Sequence, residues 1–398
     1  MKPLKILVIS SNLRIGGVER SLIGLLNALP SSQCEVTLFL NSHDGEFMGM
    51  LPASVHLLQP IPVYADLDRP IVYVLFSRRP WIACARIAAK IVTWLRRLIG
   101  IGGELAPRAT LYCLPFMPNI PGEYDLALGF LRPHDVLVYK SRAKVKAGWI
   151  HTDYTKVEAG FDHKFELKTW SGLDAAIAVS DGVAEAFKKA IPPIRDKVCV
   201  IENVLSSLLV RNEAAAFNVL AEMPMIVGVP KFCSVGRFSY AKGFDEAIRA
   251  CVILRNSGYK FRWYLIGYGP DEESLRQQIA LSGLQATFVI LGKRVNPYPY
   301  MAACDIYVQP SRYEGKSVCV REAQILGKTV LITDFPTASS QLENNVDGLI
   351  TPGGPEGIAA GIAKLIDNPE LAQRLSQTTK SRTYDNLEEV SKVISLYK

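Results

Sequence analysis

The sequence predicts an α/β fold built from two Rossmann-like domains. Two features of the apolar and polar pattern favour this fold. Short apolar runs typical of buried strands alternate with helical patterns up to about residue 205, as in βαβ units around a parallel sheet. After the polar, weakly patterned stretch 206–228, the same alternation starts again. The chain has 398 residues, of which 49% are hydrophobic, so each half is long enough to bury its own core.

The predicted strands set the predicted domain boundaries. We expect an amino-terminal domain at 1–205, a linker at 206–228, a carboxy-terminal domain at 229–385, and a terminal helix at 386–398 that could pack back on the amino-terminal domain. In the first domain the strand-like runs are LKILVIS, CEVTLFL, YDLALGF, KAGWIH, DAAIAVS and KVCVIEN. In the second domain they are KFCSVGR, KFRWYLIGYG, ATFVILGK, DIYVQPS, KTVLITD and GLITP.

Composition excludes several classes of protein. The eight cysteines lie mostly inside apolar strings and form no Cys-x-x-Cys pair, which favours a reducing cytoplasm and argues against structural zinc. The apolar run in MKPLKILVIS is too short for a signal peptide, and no apolar run reaches spanning length, so we expect a soluble or peripheral protein. Aromatic residues are not interleaved with basic clusters, so no nucleic acid is expected as a partner. The net charge of +7 is moderate and could favour anionic membranes, nucleotide phosphates or no particular partner.

The first strand-to-helix turn carries a pair of glycines. Ligands of doubly wound sheets gather at the carboxyl ends of strands, and Gly16 and Gly17 open the helix after the strand that ends at Ser10. Two glycines at a helix start permit close approach by a phosphate or a sugar. A dinucleotide site would require Gly-x-Gly-x-x-Gly and an acidic residue after the second strand, which ends at Asn41 instead. A glycine turn needed only for tight packing explains this pattern equally well.

Cations follow two predicted strands of the second half. Arg237 closes the run KFCSVGR, and Lys242 comes five residues later, before a helix that begins near Gly243. Two cations at the carboxyl edge of a sheet can clamp a diphosphate and neutralise it as it leaves. Lys293 and Arg294 follow the next strand but one and could meet a base or a phosphate. The alternative is that these are ordinary solvated surface cations.

The segment YEGKSVCVREAQILGK combines the ending of a phosphate-binding loop with two carboxylates. A P-loop requires a glycine five places before the Gly of Gly-Lys-Ser, and that place is Pro310, which has no N–H to donate. The pattern predicts instead a helix from near Ser317 to before Gly327, whose free N-terminal N–H groups could hold a phosphate. Glu314 precedes this helix and Glu322 lies about two turns inside it. The two carboxylates can therefore serve the hydroxyl-rich end and the nucleoside end of one elongated ligand.

Together these motifs resemble family 4 of the glycosyltransferases, retaining enzymes of the GT-B fold, in which two Rossmann-like domains face each other across a cleft. The resemblance covers nearly the whole chain and rests on GGVERSL, GWIHTDY, VGRFSYAKG, LIGYGP and Glu314-x7-Glu322. It implies that the amino-terminal domain binds the acceptor and that the carboxy-terminal domain binds a nucleotide sugar.

The resemblance also implies roles for single residues. Arg237 and Lys242 would bind the nucleotide diphosphate, and Glu322 would hold the ribose hydroxyls. The catalytic residues would be Glu314, beside the donor sugar, and His151, near the reacting carbon; without the surrounding WIHTDY pattern, this histidine would be taken for a core residue. The remaining donor-binding residues that we expect are Gly16, Gly17, Arg294, Gly315, Lys316, Ser317 and Val318. Lys316 replaces the apolar residue common in the family, so its side chain either adds charge near the phosphates or points to solvent.

We therefore expect a retaining glycosyltransferase that moves a sugar from a UDP-sugar to a saccharide or lipid-linked saccharide in polysaccharide or glycolipid biosynthesis. Neither a metal nor a cofactor is expected, because no Asp-x-Asp clamp is visible and Arg237, Lys242 and the helix start could neutralise the leaving diphosphate. Front-side attack is favoured over a covalent intermediate on Glu314. Two alternatives stay open: a sugar-nucleotide epimerase of similar two-domain shape, and a non-catalytic sugar-binding protein.

The segment 80–103 is the most amphipathic part of the chain. On a helical wheel, a narrow polar stripe consists of Arg86, Lys90, Thr93 and Arg97. The wide opposite face consists of Ile87, Ile91, Trp94, Leu95 and Leu98. Either the apolar face packs on the amino-terminal sheet, or the helix lies at an anionic membrane surface. The second interpretation predicts a cytoplasmic enzyme that is peripheral to the inner face of the cell membrane.

Overall fold

The computed structural model describes most of the chain as two compact units. Unit 1 consists of Met1–Val204 and Leu387–Lys398, and unit 2 consists of Leu205–Asn386. The described residues are 2–100, 105–131, 134–152, 154 and 163–397, apart from the side chains of 105–107 and 163–165.

Unit 1 is built on a parallel sheet. Its strands are β1 (Leu4–Ser10), β2 (Cys34–Leu40), β3 (Val55–Leu57), β4 (Tyr124–Gly129), β5 (Ala143–Ile150), β6 (Ala175–Ala178) and β7 (Val198–Val200). In the described part of unit 1 they form one seven-stranded sheet in the order β3-β2-β1-β4-β5-β6-β7. Neighbouring strands are parallel throughout, with Ile6 of β1 opposite Val36 of β2 and Leu126 of β4. The last five residues of β1 are all buried, because a parallel sheet is covered on both faces.

Helices connect these strands. They are α1 (Gly17–Ala28), α2 (Pro62–Ala65), α3 (Ile71–Leu75), α4 (Pro80–Leu98), α5 (Leu105–Cys113), α6 (Asp135–Lys140), α7 (His163–Ser171) and α8 (Asp181–Ala190). The apolar spacing of α1 buries Leu22, Leu25 and Leu26 against the sheet. The hydroxyl oxygen of Ser180 caps α8 by accepting the N–H of Val183 at 3.3 Å.

Unit 2, which is described throughout, repeats this plan. Its strands are β8 (Lys231–Val235), β9 (Arg262–Ile266), β10 (Phe288–Gly292), β11 (Ile306–Gln309), β12 (Thr329–Thr333) and β13 (Leu349–Thr351). They form a parallel six-stranded sheet in the order β10-β9-β8-β11-β12-β13. Its helices are α9 (Ser207–Ala214), α10 (Phe244–Asn256), α11 (Glu272–Leu281), α12 (Tyr298–Ala303), α13 (Val318–Ile325), α14 (Gly354–Asp367) and α15 (Pro369–Ser381).

The segment 206–228 contains the helix α9. Ser206 caps it, because its hydroxyl oxygen accepts the N–H of Leu209 at 3.3 Å. Val210, Val219 and Met223 are buried in a core cluster of unit 2. The polar pattern of this segment therefore conceals a stretch that packs against the second sheet's helices.

The chain ends in a helix of unit 1, α16 (Glu389–Ser395). Val390 and Val393 are buried in the core of that unit. The carboxylate of Glu389 accepts the N–H of Glu202 at 3.0 Å. The chain thus leaves unit 1 after Val204 and returns to it from Leu387 onwards.

The apolar face of α4 is exposed. Ile82, Ala83, Ala89 and Thr93 are its buried residues. The exposed apolar side chains of α3, α4 and the residues beside them form what we call the α3–α4 surface: Val72, Tyr73, Leu75, Phe76, Trp81, Ile87, Ile91, Trp94, Leu95, Leu98 and Ile99. The interpretation that the wide apolar face of this helix packs on the amino-terminal sheet is therefore wrong. Among the described residues, no helix combines the length and the hydropathy that a membrane crossing requires.

Candidate functional site

The predicted site of unit 2 lies where the strand order reverses. β8 is flanked by β9 on one side and β11 on the other, so the loops after β8 and β11 leave the sheet at its topological switch point, where ligands of such sheets bind. Arg237 and Lys242 belong to the loop after β8, and Glu314 belongs to the loop after β11. The fold thus brings together two motifs that lie far apart in the sequence.

Gly243 allows these two loops to touch. It has a left-handed φ of 64°, and a Cβ atom at this position would lie 2.1 Å from the carbonyl oxygen of Pro310. Only glycine tolerates both the conformation and the contact. Lys242 is consequently held against the end of β11.

Lys242 and Glu314 form an ion pair. The Lys242 ammonium donates to Oε1 of Glu314 at 2.5 Å, and the two side chains are 22% and 10% exposed. The Ser311 hydroxyl donates to the same oxygen at 2.7 Å, and the Gln309 amide lies 3.4 Å from it. Oε2 of Glu314 accepts no hydrogen bond from the described residues. The carboxylate is therefore fixed through one oxygen, and the other is available to a ligand.

Arg237 is an exposed side chain that makes no ion pair or hydrogen bond with the described residues. Arg294 lies on the loop after β10, and its side chain is engaged. Its Nη2 pairs with the Glu222 carboxylate, and its Nε donates to the Tyr300 hydroxyl at 2.9 Å. The fold therefore joins neither Arg237 nor Arg294 to the Lys242–Glu314 pair by a hydrogen bond.

The start of α13 differs from the prediction in one respect. The N–H of Ser317 donates to the side-chain oxygen of Gln341 at 3.0 Å, so it is not the free helix N-terminal group that the sequence predicts. Gly315 and Val318 are buried, and Lys316 is half-buried. Sequence reasoning missed this partner because Gln341 lies 24 residues further along the chain.

Glu322 faces the interior of unit 2. Its side chain is 0% exposed, and its Oε1 accepts the Tyr298 hydroxyl at 2.6 Å. Tyr298 begins α12, so two helices fix the carboxylate. The sequence gives no signal for this tyrosine, because the two residues approach only when α12 and α13 pack side by side.

A network around Arg312 fixes the loop that carries Glu314. The Arg312 guanidinium donates to both carboxylate oxygens of Asp245 at 2.8 and 2.7 Å and pairs with Glu246 at 2.8 Å. It also lies over the Tyr240 ring, 4.1 Å from its centroid. The only local sequence signal for this network is the pair of acidic residues in the first turn of α10. Such residues predict a favourable interaction with the helix N-terminus and not a contact with a distant arginine. The network ties the loop after β11 to the start of α10.

In unit 1, the glycine pair opens α1 as predicted. Gly16 is the N-cap residue, and a Cβ atom there would lie 2.2 Å from a carboxylate oxygen of Glu19. A Cβ atom at Gly17 would meet no heavy atom within 4 Å. Open space at Gly17 suits a ligand that approaches the backbone closely.

His151 follows β5 and is half-buried. Its Nε2 lies 3.0 Å from the carbonyl oxygen of Phe130, which can only accept, so Nε2 carries the proton and Nδ1 is the acceptor. Burial lowers the pKa of His151 to about 4, so the ring is neutral at pH 7. Asp153, two residues later in the motif GWIHTDY, lies outside the described residues.

Within the parts of the chain that the structure describes, no three His, Cys, Asp or Glu side chains come together in a way that could hold a metal ion. The described cysteines are all free thiols.

Comparison with known proteins identifies the fold. The solved structure of Anabaena HepE in complex with UDP and glucose matches this chain with a TM-score of 0.69 and 19% identity, and the match covers 98% of both chains. This likeness shows that the chain has the GT-B fold of two Rossmann-like domains. Residues 225–382, which include every predicted site residue of unit 2, match the family described as Glycosyl transferases group 1.

Two curated relatives match about a third of the chain at higher sequence identity. The lipopolysaccharide core biosynthesis glycosyltransferase LpsD of Rhizobium meliloti is 32% identical over 143 residues, which are 36% of this chain and 40% of that protein. The amylovoran biosynthesis glycosyltransferase AmsK of Erwinia amylovora is 31% identical over 144 residues, which are 34% of this chain and 35% of that protein. The chain thus spans less than half the length of either relative.

Proposed function

We propose that the protein is a retaining glycosyltransferase that transfers a sugar from a UDP-sugar to a hydroxyl group of an acceptor. The observation that carries this proposal is the Lys242–Glu314 pair at the switch point of unit 2, inside the segment that matches Glycosyl transferases group 1. An ammonium beside a carboxylate with one available oxygen suits a ligand that has a diphosphate next to a sugar. UDP as the nucleotide is supported by the complex of HepE with UDP and glucose.

The donor would be held chiefly by unit 2. Lys242 and Arg237 bind the diphosphate, so Lys242 exchanges part of its contact with Glu314 for a phosphate oxygen. Oε2 of Glu314 then accepts a sugar hydroxyl, and Glu322 accepts the ribose hydroxyls once the Tyr298 hydroxyl makes room. The backbone of residues 315–318 and the side chain of Arg294 complete the donor contacts. His151, Gly16 and Gly17 are the contacts assigned to unit 1.

The chemistry would require little proton transfer by the protein. As the bond between the anomeric carbon and the diphosphate breaks, Lys242 and Arg237 neutralise the negative charge that develops on the leaving oxygen. The acceptor hydroxyl attacks from the same face, and its proton passes to a leaving phosphate oxygen, which gives retention. Glu314 is a poor nucleophile here because Lys242 and Ser311 hold its Oε1 and its Oε2 is assigned to a sugar hydroxyl instead of the anomeric carbon. Neutral His151 can contact the sugar without adding charge near the carbon that becomes positive.

The acceptor is proposed to be a saccharide or a lipid-linked saccharide in polysaccharide or glycolipid biosynthesis. The names of LpsD and AmsK point to such pathways in those organisms. The α3–α4 surface supports a peripheral location at the inner face of the cell membrane, because its large apolar side chains are exposed.

A donor screen tests the proposal. Thermal unfolding of the protein is followed with UDP, GDP and ADP and with sugar nucleotides of each base. We expect UDP and at least one UDP-sugar to raise the Tm, because a ligand that binds the folded state stabilises it. Release of UDP in the presence of that sugar nucleotide and a saccharide acceptor should follow. No Tm change with any nucleotide would contradict the assignment of unit 2 as a donor site.

A further inference from the structure

Unit 1 contains a cavity of about 460 Å³ at the carboxyl edge of its sheet. Ser10 at the end of β1, Asn41 after β2 and Leu131 after β4 belong to its lining. Because β1 and β4 are neighbours and the strand order reverses between them, the cavity occupies the topological switch point of the sheet. None of the residues that the sequence predicts to bind the donor lines it. The cavity is therefore a second candidate site in the chain.

Two polar atoms of the cavity lack partners. The Ser10 side chain is 3% exposed, and its hydroxyl forms no hydrogen bond with the described residues. The carbonyl oxygen of the Asn41 side chain is likewise buried and without a partner among the described residues. Buried polar groups are nearly always hydrogen-bonded, so these two atoms point to a polar group that enters the cavity.

The cavity is positively charged on the side of α4. Arg86 and Lys90, one helical turn apart, both belong to its lining. Nη1 of Arg86 donates to the carbonyl oxygens of Asp66 and Arg69 at 2.7 and 2.5 Å, which fixes the guanidinium in place. The other nitrogens of Arg86 and the ammonium of Lys90 make no hydrogen bond to the described residues. A fixed guanidinium beside an unpaired ammonium suits a phosphate.

One carboxylate, Asp68, also belongs to the lining. Burial raises the pKa of Asp68, although Arg86 and Arg14 oppose this rise. Two cations face one carboxylate, so the cavity keeps a net positive charge. Asp68 could in addition accept a hydroxyl group of a saccharide.

The helix α4, which supplies the two cavity cations, also carries part of the α3–α4 surface. Ile87 and Ile91 follow directly after the two cavity cations and are exposed. Residues 69–100 contain the seven cations Arg69, Arg78, Arg79, Arg86, Lys90, Arg96 and Arg97, and no carboxylate. Ile71, which also lines the cavity, begins α3, where Val72 and Tyr73 are exposed. The charged cavity and the apolar surface are therefore adjacent.

We propose that this cavity binds the phosphate-bearing head of an amphiphilic acceptor whose apolar chain lies along the α3–α4 surface. Arg86 and Lys90 contact the phosphate, and Ser10 and Asn41 contact polar atoms of the head. The identification of this ligand as the acceptor rests on the proposed function; the binding of a lipid phosphate does not.

The test is a binding titration of the full chain with farnesyl phosphate below its critical micelle concentration, with farnesol and inorganic phosphate in parallel. We expect farnesyl phosphate to bind more tightly than either of the others, because only it offers both the charge and the apolar chain. Arg86→Gln and Lys90→Gln should each lower the affinity for farnesyl phosphate by about tenfold, as expected for a lost charge-assisted contact. Ser10→Ala should weaken it less.

Arg97→Gln is the matched control, since Arg97 is an exposed cation of α4 that does not line the cavity. It should leave the affinity for farnesyl phosphate unchanged. Lys90→Gln is the variant that should fold normally, because Lys90 is exposed and makes no hydrogen bond to the described residues. A loss of affinity in this variant therefore does not reflect misfolding. Equal affinity in Lys90→Gln and wild type, or an equal loss in Arg97→Gln, would overturn the proposal. If inorganic phosphate binds as tightly as farnesyl phosphate, the proposal that the α3–α4 surface holds an apolar chain is wrong.

UDP binding separates this inference from the proposed function. Suppose that the wild type binds UDP and that Arg86→Gln and Lys90→Gln bind farnesyl phosphate as tightly as the wild type does. The cavity inference then fails and the donor site stands. If the wild type binds farnesyl phosphate in the expected way but no nucleotide, the proposed function fails and the cavity inference stands.

Discussion

Lys242 and Glu314 lie 72 residues apart in the sequence and are in contact in unit 2. Their contact depends on Gly243, whose missing side chain lets the loop after β8 reach Pro310. The pair is largely shielded from solvent, so its electrostatic interaction is stronger than that of a surface pair. A phosphate that enters this site must compete with Glu314 for the ammonium.

Removal of the diphosphate contacts is the first prediction. Lys242→Ala and Arg237→Ala should each reduce kcat/KM for the donor by at least about tenfold, because a lost charge-assisted hydrogen bond costs about 1.5–3 kcal/mol. Arg276→Gln is the control, since Arg276 pairs with Glu272 on the exposed surface of α11. Steady-state kinetics with varied donor would measure these effects. Unchanged kinetics in both alanine variants would remove the diphosphate assignment.

The two glutamates should differ in their effects. Glu322→Gln keeps an oxygen for the Tyr298 hydroxyl, so it should fold normally and mainly weaken UDP binding. Glu314→Gln loses the charge beside the sugar and should mainly lower kcat. UDP affinity by calorimetry and kcat at saturating donor separate the two effects. A loss of UDP affinity in the Glu314 variant alone would mean that the roles are reversed.

His151 should make stability depend on pH. Its pKa in the folded protein is about 4, below the ordinary histidine value of about 6.5. Above pH 6.5 both the folded and the unfolded chain carry a neutral ring, and the stabilising effect of the neutral ring is fully present. As the pH falls from 6.5 towards 4, the unfolded chain binds a proton that the folded protein does not, so stability is lost.

His151→Gln should escape this loss. Urea unfolding at pH 7.5 and pH 5 should therefore show a larger decrease in the free energy of unfolding for the wild type than for the variant. Equal decreases would show that His151 titrates normally in the folded protein and is not held neutral.

At the scale of elements, the strands were predictable because their apolar runs are long and end in turn residues. β3 was missed, since the polar His56 separates Val55 from Leu57 and leaves no apolar run. α9 was missed because it is short and buries only Val210. Local pattern identifies elements with a buried face and fails where tertiary packing alone decides.

The helix α4 shows a different limit of sequence patterns. The helical wheel correctly groups the residues that share a face, but it does not say what each face meets. In the structure, Thr93 of the polar stripe is buried and Arg86 is half-buried, but Lys90 and Arg97 are exposed. The wide apolar face is exposed as well. The partners of Glu314 and Glu322 were unpredictable for a related reason: they come from distant strands and helices.

The exposed face of α4 leads to a prediction about membranes. Trp94→Gln with Leu98→Gln should abolish flotation with vesicles of phosphatidylcholine and phosphatidylglycerol, because both side chains are more than half exposed, at 59% and 64%. The Tm should stay the same, since neither packs in the core. Leu281→Gln, which removes an even more exposed leucine from α11, is the control. Equal flotation of the wild type and the double variant would contradict the membrane proposal.

At the scale of the whole molecule, the two units repeat one plan. Each sheet reverses its strand order beside its first strand, between β1 and β4 in unit 1 and between β8 and β11 in unit 2. Each reversal carries a polar site: the cavity of Arg86 and Ser10 in one, and the Lys242–Glu314 pair in the other. This division suits a reaction with two substrates of different chemistry, one held by each unit.

The most direct test of sugar transfer uses a UDP-sugar labelled in the sugar, incubated with the full chain with and without a lipid-linked saccharide. UDP release and the fate of the label are followed together. We expect UDP and labelled acceptor to form in equal amounts, with the anomeric configuration of the donor preserved in the product. A label that stays on UDP while the sugar changes its configuration would indicate an epimerase and contradict the proposed transfer.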